Sequence, residues 1–438
     1  MIEKLDRFMD SEIEVPDNIM YFDPILNNNL TFLGLPFLNE NKCYQRISNR
    51  FIEKLQTVNP KIIDLGAHTA GVSIVFKTDS PILILRSKLN KGAVLWNMSP
   101  ILEIGFDLYF KINDKWEFYQ TSKHKHLDKT HEAIMFEKLD KSEKEVLINF
   151  PCYSAVLELE IGLAQKSLFK QSNSFNQSKR WIFYGTSITQ GACASRPGMS
   201  YVNILSRYFR KEIINFGFSG NGLAESIMAE MILEVKGLEI VFIDIDANAV
   251  EFNTLKPNLE LFLKTIRKYS QDLKIVLISR VHDIYQKTNK KTKTIYLDSL
   301  SFQKDIVKKL KDNNLFFIDG YDIFPESEYS DYTVDGIHFS DLGYYKFAEY
   351  LKTFLFNTSL VKIETDSEIF IPAISGGIGS KYQRFCLSCQ TKNDVDRKYC
   401  KKCGIRILEL ICPICQSHNK ASSTSCVECG QKFLIKRK

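Results

Sequence analysis

Between Lys61 and about Leu163 the apolar residues come in short runs or alternate with polar ones. The segments KIIDLGAHTAGVSIVFKT, SPILILRSKL, AVLWNM, PILEIGFDLYFKIND, KWEFYQTS, HEAIMFEKL and KEVLINF read as strands. Turn-forming Gly, Asn, Asp and Ser separate them at roughly 8–15-residue spacing, which predicts an all-β sandwich or jelly roll. Residues 1–60 are less regular and are expected to wrap that sandwich. A polar stretch from Gln165 to Lys179 reads as a linker. Beyond it the period changes. WIFYG, EIINFG, LEIVFIDID, KIVLISRV and LFFIDG are short buried strands. SYVNILSRYFRK, SIMAEMILEVKG, LELFLKTIRKYS, SLSFQKDIVKKLKDN and LGYYKFAEYLKTFLF follow them in turn with apolar residues at helical spacing. Strands alternating with helices predict an α/β domain, a parallel sheet covered on both faces.

Charge and cysteine then separate a third region. The 438 residues carry a formal +6, but from Lys381 onward 13 Lys+Arg face 4 Asp+Glu, a formal +9. The preceding 380 residues hold 45 Lys+Arg against 48 Asp+Glu, a formal −3, so the basicity belongs to the tail. Of 11 cysteines, Cys43, Cys152 and Cys193 lie in the body and eight crowd between Cys386 and Cys429. The expected organisation is residues 1–164, a linker 165–179, an α/β domain 180–358, a linker 359–384 and a metal-binding tail 385–438. With 31 Phe and 19 Tyr the chain can build sizeable cores, which excludes disorder as its main state. No stretch approaches the ~20 consecutive apolar residues of a membrane span. The charged opening MIEKLDRFMDSEIEVPD has no apolar core of a secretory signal.

The chemistry sits at predicted strand ends, where α/β folds bind ligands. After the first strand comes Gly185-Thr186-Ser187-Ile188, a serine on a tight turn whose N–H groups can meet developing negative charge. After the second comes Phe218-Ser219-Gly220-Asn221-Gly222, and after the third Ala247-Asn248-Ala249, an amide at a loop tip. The last loop carries Asp335-Gly-Ile-His338, in which the carboxylate can hold the imidazole while its other nitrogen faces a serine. Taken singly, each also fits a plain turn, a cap or a solvated side chain. Four at successive strand ends point to catalysis. His124, His126 and His131 lie in a Lys-rich segment that reads as a solvated turn, and Cys193 as a loop thiol; Arg280, His282 and Asp283 end a strand on the same side as the motifs.

Gly185-Thr186-Ser187-Ile188, Gly220, Asn248 and Asp335-x-x-His338 resemble the four blocks of the SGNH (GDSL-like) hydrolases. The resemblance implies a flavodoxin-like three-layer α/β/α fold. It implies Ser187 as nucleophile, His338 as base, Asp335 as its support, and an oxyanion hole of the Ser187 and Gly220 N–H groups with the Asn248 side chain. No cofactor is implied in that site. Gly105-Phe106-Asp107-Leu108-Tyr109 resembles the GxDLY motif of a β-rich domain preceding one bacterial branch of these esterases. Two departures stand beside the oxyanion positions: Thr186 replaces the Asp of the family name, and Asp246-Ala-Asn-Ala249 replaces Gly-x-Asn-Asp.

In the tail, Cys386-x-x-Cys389 with Cys400-x-x-Cys403 repeats 26 residues later as Cys412-x-x-Cys415 with Cys426-x-x-Cys429. Two C-x-x-C turns complete a tetrahedral Zn²⁺ site, so two structural zinc ions are expected, with a disulfide framework as the rival. The tail resembles a double zinc ribbon; His418 is not needed as a ligand. A protein-docking role is favoured over nucleic acid, because eight thiolates and two Zn²⁺ offset much of the positive charge. The sequence therefore predicts a cytoplasmic serine esterase acting on an O-acetylated carbohydrate or similar small acylated metabolite. The alternatives are an acyltransferase or thioesterase on the same fold, or a non-catalytic adaptor whose zinc ribbons bind a protein partner.

Overall fold

The computed structural model describes residues 15–251, 253–324 and 329–361, and four short strands in the tail. The described residues up to Ala348 form one compact unit containing both the β-rich half and the α/β half. Its first strands are β1 (Ile19–Phe22), β2 (Thr31–Leu33), β3 (Ser73–Thr78), β4 (Leu83–Leu89) and β5 (Asp107–Ile112), then β6 (Lys115–Thr121), β7 (Thr130–Phe136), β8 (Lys144–Asn149), β9 (Val156–Ala164) and β10 (Phe169–Gln171). They form two antiparallel sheets, β1-β9-β4-β7 and β10-β3-β8-β5-β6, with β2 paired to β3. The two-residue period accounts for the sandwich. Leu83, Leu85 and Leu89 of β4 meet Leu159, Ile161 and Leu163 of β9 in the core with Ile74, Phe76, Leu108 and Ile148. Their outward neighbours pair in solvent, Arg86 with Glu132 at 2.5 Å and Lys88 with Glu158 at 2.7 Å.

Four expectations are corrected here. Lys61–Ala67 is a helix, not the start of a strand; Ile62 and Gly66, four apart, turn to the core, and the strand proper begins at Ser73. The segment AVLWNM is a loop, because the buried Glu103 carboxylate accepts the N–H groups of Val94 (3.1 Å) and Leu95 (3.0 Å) in place of a neighbouring strand. Pro100–Ile104 is a helix, capped by Ser99 Oγ accepting from Ile101 N, with Pro at its first turn, where its missing N–H has no consequence. The polar stretch 165–179 is not a free linker, since β10 pairs with β3 and the next strand begins at Asn176.

That strand, β11 (Asn176–Gly185), leads the parallel sheet completed by β12 (Lys211–Gly217), β13 (Leu238–Asp244), β14 (Lys274–Ile278) and β15 (Leu315–Ile318). The order β12-β11-β13-β14-β15 is the flavodoxin-like arrangement. Nearly every residue of the central strands is buried, as a sheet covered on both faces requires. On one face Ile182, Tyr184, Ile214 and Val241 meet Met228, Ile232, Leu259 and Phe262. On the other, Phe183 stacks on Phe242 at 4.0 Å and meets Tyr201 edge-on. Phe37, Ile47, Phe51, Leu55 and Ile62, from the segment between β2 and β3, belong to the first of these cores.

Arg46 fixes that early segment to the sheet. Its wholly buried guanidinium donates to the carbonyls of His68 (2.6 Å), Leu65 (2.6 Å), Asn215 (2.5 Å) and Gly217 (3.1 Å), and burial pushes it down to about 9. Arg46→Leu takes the guanidinium donors from all four carbonyls, leaving Leu65 O the His68 N–H at 3.2 Å, and is expected to lower the unfolding free energy by about 3–5 kcal/mol. Urea melts of the full chain check this; a loss below about 1 kcal/mol would mean that the carbonyls find other partners.

The second unit, Glu349–Lys438, is described through residues 349–361 and through β16 (Gln383–Phe385), β17 (Lys392–Asp394), β18 (Glu409–Ile411) and β19 (His418–Lys420). β16 pairs with β17 and β18 with β19, two antiparallel hairpins displaced by 26 residues. Phe385 faces Lys392 and Ile411 faces His418, so Cys386-x-x-Cys389 and Cys412-x-x-Cys415 fall between paired strands. The eight cysteines lie outside the described residues, as do residues 362–382.

Candidate active site

Ser187, Gly220 and Asn248 follow β11, β12 and β13, three adjacent strands. Gly185 pairs in register with Gly217 on one side and Asp244 on the other, so the three strand ends are level. Thr186 caps a four-residue helix, its Oγ1 accepting from Ile188 N at 3.3 Å, which puts Ser187 at the first helical position. A side chain at Gly185 would collide with Thr189 and the Asp244 carbonyl, and Gly191 at φ +109° ends the helix. The serine is therefore held on a turn too tight for larger neighbours.

Ser187 Oγ lies 2.9 Å from His338 Nε2, and His338 Nδ1 lies 2.7 Å from Asp335 Oδ2. Asp335 Oδ1 accepts the backbone N–H of His338 (2.8 Å) and of Ile337 (3.1 Å) across the left-handed Gly336. Asn97, from the loop in the β-rich half, donates to Asp335 Oδ2 at 2.8 Å. Burial alone would raise the Asp335 carboxyl. The hydrogen bonds from the His338 ring and backbone, then from Asn97, bring it down to about 2, so it is a carboxylate throughout the physiological range. This relay can carry the Ser187 proton to His338 while the charge on Asp335 favours the imidazolium.

Gly220 sits in the turn closed by Asn221 N to Phe218 O (2.8 Å), at φ +70° with no atom within 4 Å of where a Cβ would lie. Gln190 ties this turn to the serine helix: its Oε1 accepts from Ser219 N at 2.9 Å and its Nε2 donates to Cys152 O at 3.0 Å. Asn248, in the helix Asp246–Glu251, accepts the Gly222 N–H on Oδ1 at 3.4 Å, which leaves Nδ2 as the free donor. Gly222 must be glycine, since a Cβ there would meet Gly185 O at 2.4 Å. Asp246, where the family pattern differs, anchors the start of the Asn248 helix by accepting from Ser299 (3.0 Å), Gln303 (2.6 Å) and the Arg280 N–H (3.1 Å). Burial pushes the neighbouring Asp244 carboxyl up to about 7.

The structure thus brings Ser187, His338 and Asp335 into one hydrogen-bonded line and places Gly220 and Asn248 at the neighbouring strand ends. Sequence reasoning missed Asn97 and Gln190. The Ser99-Pro100 helix start could have marked the end of the Asn97 loop, but no local signal shows where that loop lands. Cys193 is also more central than a loop thiol. It is buried at φ +69°, and its Sγ lies within 4.8 Å of ligand atoms of Asp335 and His338. Burial and then the Asp335 charge push the thiol up to about 12, so it stays protonated. Nor are His124 and His131 solvated. Their rings lie 4.8 Å apart, and His131 points inward from β7, where burial lowers it to about 4. His282, in the loop four residues past β14, stacks on Tyr321.

Three family comparisons match the chain. The GDSL-like Lipase/Acylhydrolase family matches residues 178–355, the N-terminus of SGNH-hydrolase-type esterases (GxDLY) matches 19–169, and the double zinc ribbon matches 386–430. Among solved structures, a protein from Bacteroides ovatus described as a GDSL-like lipase is 28% identical, with a TM-score of 0.71, over 79% of this chain and 99% of that one. The salicylyl-acyltransferase SsfX3 from a tetracycline biosynthetic pathway shares the fold at 20% identity and TM-score 0.63, over 76% and 96% of the two chains. So does a family two carbohydrate esterase from Cellvibrio japonicus, at 11% identity and TM-score 0.51, over 78% and 99%. The comparison with curated proteins finds no match. A GxDLY domain, a GDSL-like lipase/acylhydrolase domain and a double zinc ribbon in one chain place this protein among the SGNH-type ester hydrolases.

Proposed function

We propose that the chain hydrolyses an O-acyl ester of a carbohydrate or similar small acylated metabolite through an acyl-enzyme on Ser187. The observation that carries this reading is the unbroken relay from Ser187 Oγ through His338 to Asp335, at 2.9 and 2.7 Å. His338 Nε2 takes the serine proton as Oγ attacks the ester carbonyl. The tetrahedral oxyanion is received by the N–H groups of Ser187 and Gly220 and by Asn248 Nδ2. His338 returns the proton to the departing alcohol as the C–O bond breaks, and Ser187 keeps the acyl group. Water, deprotonated by His338, then attacks the acyl-enzyme and releases the acid.

A panel of acylated sugars tests the reading, with acid and alcohol products followed in the presence and absence of added sugar acceptor. Ser187-dependent release of free acid supports it. Transfer to the acceptor with no free acid would instead make the protein an acyltransferase.

Asn97 holds the Asp335 oxygen that His338 uses. Removing it in Asn97→Ala is expected to lower kcat about tenfold with KM nearly unchanged, since a hydrogen bond to a charged group is worth about 1.5–3 kcal/mol at most. Steady-state kinetics check this, and an unchanged kcat would remove Asn97 from the site.

In the tail we assign one Zn²⁺ to Cys386, Cys389, Cys400 and Cys403, and another to Cys412, Cys415, Cys426 and Cys429. Four thiolates suit zinc, and the two hairpins repeat with the cysteine spacing. When bound, zinc supplies folding energy to modules too small to bury a core. Elemental analysis should find two zinc ions per chain, lost to a strong chelator while ester hydrolysis persists. Hydrolysis that disappears with the zinc would contradict the separation of the two roles. Thiolate ligands suit a reducing, cytoplasmic setting, and the ribbons suit a protein partner better than nucleic acid. No helix among the described residues is long and apolar enough to cross a membrane.

A further inference from the structure

A cleft of about 600 Å³ opens on Gly220, and nothing above uses it. Its walls come from two places. The turn between the helices Ile52–Val58 and Lys61–Ala67 supplies one; the segment after Gly220 and the helix Leu255–Tyr269 supply the other. Val58, Leu223, Ile227 and Leu261 line it, and Val58 and Leu261 are about half exposed, at 53% and 54%. Polar groups in the walls are paired with each other: Asn59 Nδ2 donates to Glu225 Oε1 at 2.7 Å, and Asn258 Nδ2 to the Leu223 carbonyl at 2.8 Å. The surface left to a ligand is thus largely apolar, with the exposed Lys61 among its lining residues.

Reaction geometry decides which part of an ester belongs there. In the tetrahedral intermediate the oxyanion faces Gly220 and Asn248, and the departing alcohol must face His338 to receive its proton. The acyl substituent takes the remaining direction, away from His338. Among the described residues none of the cleft's lining comes from the 329–340 loop that carries His338, whereas Gly220 belongs to both the cleft and the oxyanion corner. Nothing lies within 4 Å of where a Cβ on Gly220 would stand, so no side chain covers the backbone at the point the two share.

Resting on the esterase reading, we infer that this cleft is the acyl-binding site and that it takes an apolar acyl group substantially larger than acetyl. An acetyl group displaces roughly two waters, about 60 Å³ at about 30 Å³ each, a small fraction of the space. The volume falls in the range of about 300–1,000 Å³ that holds drug-sized ligands. The inference moves the acyl group beyond the acetyl expected from the sequence.

The test is the kcat/KM of the full chain on p-nitrophenyl acetate, butyrate, hexanoate and octanoate, which share one leaving group and differ only in the acyl chain. The expected profile rises about two- to fourfold per added methylene through hexanoate, the upper figure being full burial of each methylene. Leu261→Trp, at an exposed wall position that a larger side chain can occupy without disturbing the core, should reduce the octanoate-to-acetate ratio at least fivefold. The ratio is taken within each variant, so any change common to all the esters cancels. Leu261→Ala, the second variant, should keep the long-chain preference. Ser187-dependent hydrolysis with a flat or falling profile would overturn the acyl cleft and leave the esterase reading standing, as would a ratio that Leu261→Trp does not move. Hydrolysis of every ester that survives Ser187→Ala would overturn both.

Discussion

Ser187→Ala is expected to lower kcat for ester hydrolysis about 10⁵–10⁶-fold, the largest effect of any single substitution in this protein. Without Oγ no acyl-enzyme forms, and His338 has no proton to take from the serine side. What survives is the contribution of the oxyanion donors and of binding, which in serine hydrolases of unrelated fold leaves about 10³–10⁴-fold over water. The fold should not suffer, because the side chain lost is one hydroxyl at the start of a helix whose cap is Thr186. Cys193 does not stand in for the missing nucleophile. With its thiol pushed up to about 12, the thiolate fraction at pH 7 is on the order of 10⁻⁵. Initial rates alongside circular dichroism check the expectation. A folded Ser187→Ala protein retaining more than about one-hundredth of the wild-type rate would require another nucleophile.

Asn248→Ala is expected to lower kcat by about 10²–10³, equivalent to about 2.7–4 kcal/mol of transition-state stabilisation, with a much smaller change in KM. The direction of the amide is the basis for the expectation. Gly222 N–H occupies Oδ1, so Nδ2 is the end available to a developing oxyanion. Asn248→Asp replaces that donor with an acceptor and should be at least as damaging, which separates loss of the hydrogen bond from loss of packing. A full-rate Asn248→Ala enzyme would remove this side chain from the oxyanion site and leave the two backbone N–H groups to serve it.

Much of this site is legible in the sequence because its parts are local. Ser187 and Gly220 stand one or a few residues beyond buried strands whose apolar runs are unmistakable. Asp335 and His338 are three apart, a spacing that lets one backbone loop set their hydrogen bonds. The zinc tail is legible for the same reason, as short-range spacing repeated once. What escaped the sequence is long-range. Asn97 reaches Asp335 across 238 residues of chain, from a loop whose apolar letters look like a strand. Only the buried Glu103, accepting the N–H groups that a strand would give its neighbour, shows why it is not one. The helix Lys61–Ala67 was hidden by a short apolar run that fits either period. His131 looked like part of a basic turn because the sequence around it is rich in lysine, yet strand alternation turns its ring inward. In each case tertiary contacts outweighed local pattern. The boundary between the two halves is blurred likewise: Ile47, Phe51 and Leu55 lie between two sandwich strands, β2 and β3, but pack under the α/β sheet.

The central claim is that Ser187 carries the acyl group. Its most direct test is rapid acid quench of the enzyme during turnover of a p-nitrophenyl ester, followed by intact-mass and peptide mass spectrometry. The account predicts one acyl group per chain, on the peptide containing Ser187, absent from Ser187→Ala and accumulating further in wild type when the acyl chain is hydrolysed slowly. Steady hydrolysis with no acyl adduct on Ser187, or an adduct on Cys193 in its place, would contradict it.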